Sequence, residues 1–171
     1  MAPQVRIRPV RREDLDRLEE WRNDPGWSEF DWYGFKPPGE LRRRFDQTGL
    51  LAEDDGYLLV ELADGTVIGD VAWHAVYHGP PPTSRAFNIG ITIAPGQRGK
   101  GHGTEAQRLL AEYLFAVTRV ERVEASTDVD NLAEQRALEK AGFTREGVLR
   151  RAQFRGGAFH DLVLFSRVRG E

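Results

Sequence analysis

The sequence predicts a single domain of mixed α+β class over residues 1–171. Short segments with apolar residues at every second position alternate along the chain with segments whose apolar residues recur at helical spacing. A length of 171 residues permits one sizeable core, and a composition of 40% hydrophobic and 30% charged residues is ordinary for a globular protein. No internal repeat, low-complexity tract or linker divides the chain.

The first half of the chain predicts a strand, a helix and a β-hairpin. Alternation over residues 5–9 indicates the strand, and apolar residues at helical spacing indicate the helix over residues 12–21. Residues 57–77 predict the hairpin, because an Asp-Gly pair at its centre suits the left-handed conformations of a tight turn. Between helix and hairpin, residues 27–35 contain five aromatic side chains without a clean period, and a short arginine-rich helical stretch follows.

The second half predicts four more strands and two more helices. The strands lie at 85–93, 122–127, 144–154 and 158–167, and the helices at 106–117 and 131–141. In the strand at 85–93, one phenylalanine and three isoleucines occupy one face, while small or polar residues occupy the other. The helix at 106–117 has the clearest apolar stripe in the chain and should pack against a sheet.

Charge and composition argue against several functions. The chain has 24 basic and 27 acidic residues, a net charge of −3, which offers nucleic acid or an anionic membrane no general attraction. No apolar run approaches the roughly 18 residues of a membrane span, and the first ten residues lack the apolar core of a signal peptide. We therefore expect a cytoplasmic protein without nucleic-acid or membrane partners. The absence of Cys excludes disulfides and a Cys nucleophile, and we expect no metal.

Residues 93–106, IAPGQRGKGHGTEA, raise the main functional question of the sequence. A strand, a glycine-rich loop and a helix in succession place free backbone N–H groups and the positive end of a helix dipole together, which predicts an anion site suited to phosphate. Arg98 and Lys100 add charge, and His102 is expected to face solvent. A Walker A motif fails because positions 102 and 103 are His and Gly, and the dinucleotide fingerprint fits only in its looser form, in the wrong part of the chain.

The pattern R-x-x-G-x-G at Arg98, Gly101 and Gly103, after a strand that ends ITIAP, resembles the acyl-CoA loop of the GNAT superfamily of N-acetyltransferases. NLAEQRALEKAGF, at 131–143, is similar to that superfamily's second signature, a helix opened by Asn and ended by Gly-Phe. EKAGFTREGVLR and HDLVLFS are similar to the branch that contains the RimJ and RimL ribosomal-protein acetyltransferases and many small-molecule relatives. The resemblance implies a mostly antiparallel sheet of six to seven strands, splayed at the acyl-CoA site and flanked by about four helices.

The resemblance also implies acetyl-CoA as the co-substrate. The strand before the loop would pair with the pantetheine arm, where Gly90 suits a splay or a bulge, and the loop would hold the pyrophosphate. Asn131 would contact the cofactor or order the acceptor side, and it would also serve as an ordinary N-cap. The residues implied in cofactor binding are Ile91, Thr92, Ile93, Arg98, Gly99, Lys100, Gly101, His102, Gly103, Thr104 and Asn131.

The resemblance identifies the catalytic residues less directly, because this chain differs from many relatives at two positions. Leu138 stands where many relatives carry a Tyr general acid, and Asn88 stands where many in this branch have Glu. With neither a Cys nor a G-x-S-x-G motif, direct attack by the amine in a ternary complex is expected. Our candidates are His160 and Glu134 as proton-transfer groups, and Asn88 to position a water or the acceptor. Asp161 and His74 complete the set of titratable candidates.

Three functions remain open from the sequence. The first is acetyl transfer from acetyl-CoA to a small-molecule amine or a protein N-terminus, in a monomer or a homodimer. The second is a non-catalytic acyl-CoA sensor or scaffold, and the third is another phosphate-binding protein such as a nucleotide binder. The aromatic residues of 27–35 would wall an acceptor pocket or form a satellite hydrophobic cluster, and Glu29 and Asp31 among them would attract a cationic amine.

Overall fold

The computed structural model describes residues 5–171. Seven strands form one sheet in the order β1-β2-β3-β4-β5-β7-β6. The strands are β1 (Val5–Pro9), β2 (Asp55–Leu62), β3 (Val67–Tyr77), β4 (Arg85–Ile93), β5 (Arg122–Asp128), β6 (Thr144–Arg155) and β7 (Ala158–Val168). All neighbouring pairs are antiparallel except β4 and β5. The prediction of a mostly antiparallel seven-stranded sheet is confirmed.

Four α-helices cover the two faces of this sheet within residues 5–171. They are α1 (Leu15–Arg22), α2 (Glu40–Thr48), α3 (His102–Val117) and α4 (Leu132–Lys140). The larger core lies under α3 and α4, and a smaller one lies under α1 and α2. Val60 belongs to the larger core and its neighbour Leu59 to the smaller, because successive residues of β2 point to opposite faces.

The apolar stripe of α3 explains why this helix packs against the centre of the sheet. Ala106, Leu110 and Leu114 are completely buried against β4, where Phe87 is also completely buried. The helix begins at His102, four residues earlier than its apolar pattern predicts. The helix ends at Val117, as the pattern predicts, but the Val117 side chain is 58% exposed and does not join the buried stripe.

The sheet splays between β4 and β5. These strands pair only at Phe87 with Val123 and at Asn88 with Glu124, so the edge of β4 that faces β5 has no strand partner from Ile89 onward. The pairing of β4 with β3 continues without a shift over the whole of β4. Gly90 therefore does not form a bulge, and the splay arises because β5 diverges from β4.

Within residues 5–171, no helix is long and apolar enough to cross a bilayer. The same part of the chain holds no group of three His, Asp or Glu residues arranged to bind a metal ion.

Candidate active site

The glycine loop between β4 and α3 presents its main chain to solvent. Gly99 and Gly101 have φ values of +72° and +84°, a left-handed conformation that residues with a Cβ rarely adopt. Glu105 is the first residue whose N–H bonds back to the loop, at 3.1 Å from Gly101 O. Within the described residues, the N–H groups of His102, Gly103 and Thr104 have no partner. The loop thus offers an anion several amides at the positive end of α3.

The basic side chains of the loop are engaged elsewhere. Arg98 Nε donates to Ile93 O at 2.8 Å, and its Nη2 donates to Trp27 O. Lys100 Nζ donates to Gly96 O at 2.9 Å, inside the same loop. An anion bound here would be held chiefly by main-chain amides, with these two cations as neighbouring charge.

The expectation that His102 faces solvent is wrong. Its side chain is buried at the start of α3, and no hydrogen-bond partner for Nδ1 is found in residues 5–171. Burial lowers the pKa of the His102 imidazole, and the charge of Lys100 lowers it further. The ring is therefore neutral at pH 7 and packs as part of the loop.

The splay leaves room for an extended ligand beside the loop. Ile91, Thr92 and Ile93 lie on the edge of β4 that β5 leaves free, directly before the loop. Asn88, half-buried, lies at the apex of the splay between its strand partners His74 and Glu124. The predicted arm-binding strand and phosphate loop are therefore continuous, and Asn88 lies at their inner end.

Asn131 lies on the other side of the splay and caps α4. Its Oδ1 accepts from Glu134 N at 3.3 Å, and its Nδ2 donates to Thr127 Oγ1 at 3.1 Å. This confirms the N-cap, which is worth about 1 kcal/mol. The cofactor contact of Asn131 stays a prediction.

Glu134 has an unusual environment for a residue in the first turn of a helix. It is half-buried, and its neighbours include Gln107 of α3 and the charge of Asp31. Burial raises the pKa of Glu134 to about 8, and the charge of Asp31 contributes to the rise. A carboxyl group of this pKa exchanges protons near neutral pH, as a general base must.

An aromatic cleft of about 190 Å³ opens on the face of the sheet that α1 covers. Residues 24–36, which we call the aromatic loop, form one wall, and β2, β3 and β4 supply the floor. Trp21 and Trp27 stack with ring centroids 4.2 Å apart and planes at 17°. The cleft is lined by Trp21, Arg22, Asp24, Trp27, Ser28, Asp31, Trp32, Lys36, Tyr57, Asp70 and Thr92. The aromatic segment thus forms a pocket wall, one of the two roles that the sequence left open.

Two carboxyl groups of this cleft have raised pKa values. Burial raises the pKa of Asp70 to about 7, against an opposing hydrogen bond from Tyr57 and with a contribution from the charge of Asp31. Asp31 is open to solvent at the mouth of the cleft, yet the surrounding walls remove enough water to raise its pKa as well. The sequence analysis missed Asp70, although a lone carboxyl group in the apolar strand VIGDVAW was a signal for it.

His160 lies in a polar cluster at the other side of the splay. Its Nδ1 is 3.2 Å from Asp128 Oδ2, and its Nε2 donates to Arg155 O at 3.1 Å. Asp128 is buried and also forms an ion pair with Arg155. Both ring nitrogens of His160 therefore have protein partners. Like Glu134 and Asn88, this side chain is not among those that line the aromatic cleft.

The remaining titratable candidates lie in structural positions. Asp161 Oδ1 accepts from Arg151 N at 2.7 Å, where the pairing of β6 and β7 shifts register, and His74 is exposed on β3. A larger cleft of about 480 Å³ lies near Trp73, Phe87 and the C-terminal end of α3. It adjoins the first residues of β4 and not the glycine loop, so we assign the chemistry to the aromatic cleft.

Comparison with known proteins agrees with this geometry. A family model described as an acetyltransferase (GNAT) domain matches residues 4–144. The probable N-acetyltransferase YjcK of Bacillus subtilis strain 168 is 34% identical over 125 residues, which span 72% of this chain and 67% of YjcK. The spermidine N(1)-acetyltransferase of Escherichia coli K12 is 27% identical over 166 residues, 95% of this chain and 84% of that enzyme. RimJ of Mycobacterium smegmatis, solved in complex with CoA-disulfide, has the same fold, with a TM-score of 0.76 and 23% identity over 96% of this chain and 82% of that one.

Proposed function

Because this chain belongs to the GNAT acetyltransferase family, we propose that it transfers the acetyl group of acetyl-CoA to a cationic primary amine, with Glu134 as the base. Membership defines the enzyme class, an acetyl-CoA-dependent N-acetyltransferase, and favours catalysis over the sensor and nucleotide-binder alternatives. The proposal adds where the acceptor binds and which side chain takes its proton.

The observation that carries the proposal is the continuity of glycine loop, splay and aromatic cleft. The free amides from His102 to Thr104 fit a pyrophosphate, and the unpaired edge of Ile91–Ile93 fits an extended pantetheine arm. Thr92 lies on this strand and also lines the aromatic cleft. An acceptor in the cleft would therefore meet the acyl end of a cofactor that lies along β4.

The lining of the cleft supports a cationic acceptor. Its acidic groups are Asp24, Asp31 and Asp70. Its basic groups are Lys36 and Arg22, and Arg22 already forms an ion pair with Glu40 at 3.3 Å. Tryptophan faces attract cations, and buried carboxyl groups lacking a cationic partner gain most when a cation arrives. A relative that aligns over 95% of this chain is named for spermidine, a polycationic amine.

Glu134 suits the chemical requirement of the reaction. A primary ammonium group cannot attack a thioester until it loses a proton, and a base works best when its pKa lies near the working pH. The pKa of about 8 meets this condition, whereas Asn88 cannot accept a proton. We therefore assign the proton to Glu134 and the orientation of the acceptor to Asn88, and His160 becomes a residue that positions Asp128.

An amine panel tests this function. Because the chain has no Cys, a thiol reagent reports released CoA without protein background. We expect spermidine to be acetylated with a lower KM than glucosamine or a peptide N-terminus, and Asp70→Asn to raise the KM for spermidine at least about fivefold. Preference for the peptide would make a protein N-terminus the acceptor. Tight acetyl-CoA binding without CoA release for any amine would favour the non-catalytic sensor instead.

Location and assembly stay predictions. A cytoplasmic location is supported by the need for acetyl-CoA. A homodimer is supported by the edge strand β6 and its hairpin partner β7, which expose Leu149, Phe154 and Phe159. Light scattering on the purified protein would measure the assembly directly.

A further inference from the structure

The aromatic loop is held in place by two arginine side chains from distant parts of the chain. Arg98, which follows β4, donates to Trp27 O across 71 residues of sequence. Arg155, at the end of β6, donates to Glu29 O at 3.0 Å across 126 residues, and its guanidinium lies 5.4 Å from the centre of the Phe30 ring. Each guanidinium thus fixes a main-chain carbonyl of the same short segment.

The two anchors come from opposite sides of the splay. Arg98 opens the glycine loop that follows β4, whereas Arg155 is fixed by its ion pair with the buried Asp128 at the end of β5. Only the anchor on the β4 side belongs to a segment that binds the cofactor. The position of Trp27, and with it one wall of the aromatic cleft, is therefore tied to the conformation of the glycine loop.

We propose that Arg98 is a positioning residue that couples occupation of the glycine loop to the shape of the acceptor cleft. The inference rests on the proposed function, since it takes the glycine loop as the CoA site. Arg98 Nε holds Ile93 O while Nη2 holds Trp27 O, so one planar fork spans the end of β4 and the aromatic loop. When the amides after Arg98 close on a diphosphate, the same fork fixes Trp27 and the neighbouring Asp31.

The coupling is reciprocal by thermodynamic necessity. A cofactor that orders the loop improves the acceptor site, and an acceptor that fills the cleft improves cofactor binding by the same factor. A charge-assisted hydrogen bond to a carbonyl supports a factor of about ten.

Hydrogen–deuterium exchange with CoA as the only ligand tests the coupling. In the natural protein, we expect CoA to slow exchange of the amides in residues 99–104 and also in residues 28–36. In Arg98→Ala, protection of 99–104 should persist and protection of 28–36 should be lost. Arg98→Lys keeps the positive charge but lacks the fork, so it should also lose protection at 28–36 while binding CoA within about threefold of the natural affinity.

Lys100→Ala is the matched control, because Lys100 donates only within its own loop, to Gly96 and Gln97. It should keep the CoA-dependent protection of 28–36, even if its CoA affinity falls. Equal protection of 28–36 in the natural protein and both Arg98 variants would overturn the coupling, as would its absence in the natural protein. A lack of protection at 99–104 in the natural protein would instead overturn the cofactor site, and the coupling with it.

Discussion

Replacement of Glu134 by Gln should lower activity and raise stability, and the two effects have one cause. The pKa of this carboxyl group is raised from 4.5 to about 8 in the folded protein, mainly by burial. Its folded pKa exceeds its unfolded pKa, so the folded state binds the proton more tightly. As pH rises from about 4.5 to about 8, ionisation costs the folded state progressively more, and above pH 8 the full penalty is present.

The size of the effect follows from the shift. A rise from 4.5 to about 8 corresponds to an upper limit of about 5 kcal/mol at pH 9, at about 1.4 kcal/mol per pH unit. Glu134 retains some exposure, so solvent screens part of this penalty and we expect Glu134→Gln to gain roughly 1–3 kcal/mol at pH 9. At pH 4 the side chain is protonated in both states, and the gain should vanish.

The activity of Glu134→Gln should fall by about 100-fold or more, since a general base contributes at least that much. The natural enzyme should show kcat/KM rising with pH through a midpoint near pH 8 to a plateau above about pH 9, and the variant should lose this dependence. CoA release between pH 6 and 9.5 and urea unfolding at pH 4 and 9 measure the two quantities. Glu139→Gln, on the exposed side of the same helix, is the control and should change neither.

Two results would each refute a separate part of this reasoning, the role of Glu134 as base or its raised pKa. An unchanged pH–rate profile in Glu134→Gln would show that another group takes the proton. Unchanged stability at pH 9 would show that Glu134 is well solvated, and the raised pKa would have to be abandoned. Lower activity together with higher stability is expected only if burial of Glu134 both raises its pKa and destabilises the folded protein.

Further predictions concern the loop, the polar cluster and the sheet. Gly101→Ala should weaken CoA binding at least about tenfold by calorimetry, because its φ of +84° is strained for Ala, whereas Gly96→Ala, in open space at ordinary φ, should bind normally. Asp128→Asn should cost about 3 kcal/mol in urea unfolding, because the ion-pair partner Arg155 is left without its countercharge; a loss under 1 kcal/mol would contradict this. Gly69→Ala should cost at least about 2 kcal/mol, since its Cβ would overlap Thr92 O on the neighbouring strand. An unchanged melting temperature would contradict this.

The strands and helices were predictable because their signals are local. Alternation in β4 and helical spacing in α3 each reflect burial against the nearest neighbours of the same element. Between β6 and β7, Gly156 and Gly157 adopt left-handed φ values of +60° and +83°. The conformation of the glycine loop was predictable for the same reason, since its glycines specify a left-handed backbone.

The acceptor side was not predictable, because its contacts are remote in sequence. The aromatic loop has no period, and its position depends on Arg98 and Arg155, which lie 71 and 126 residues from their partners. The raised pKa of Glu134 likewise depends in part on the charge of Asp31, a residue about a hundred positions earlier. A sequence reveals that a carboxyl group exists, but only the fold determines how much water reaches it.

The environment of these carboxyl groups bears on which acceptor is bound. Asp31 raises the pKa of both Asp70 and Glu134, so the three groups resist simultaneous ionisation near neutral pH. A cation in the cleft reverses this resistance by favouring the charged forms, and Asp70 would then ionise as the ligand binds. The same cation would favour the ionised form of Glu134, which could then accept a proton from the ammonium group that reacts. Under the proposed function, an acceptor with two positive charges would suit the cleft, because one ammonium group would offset the charge of Asp70 while the other would transfer its proton to Glu134.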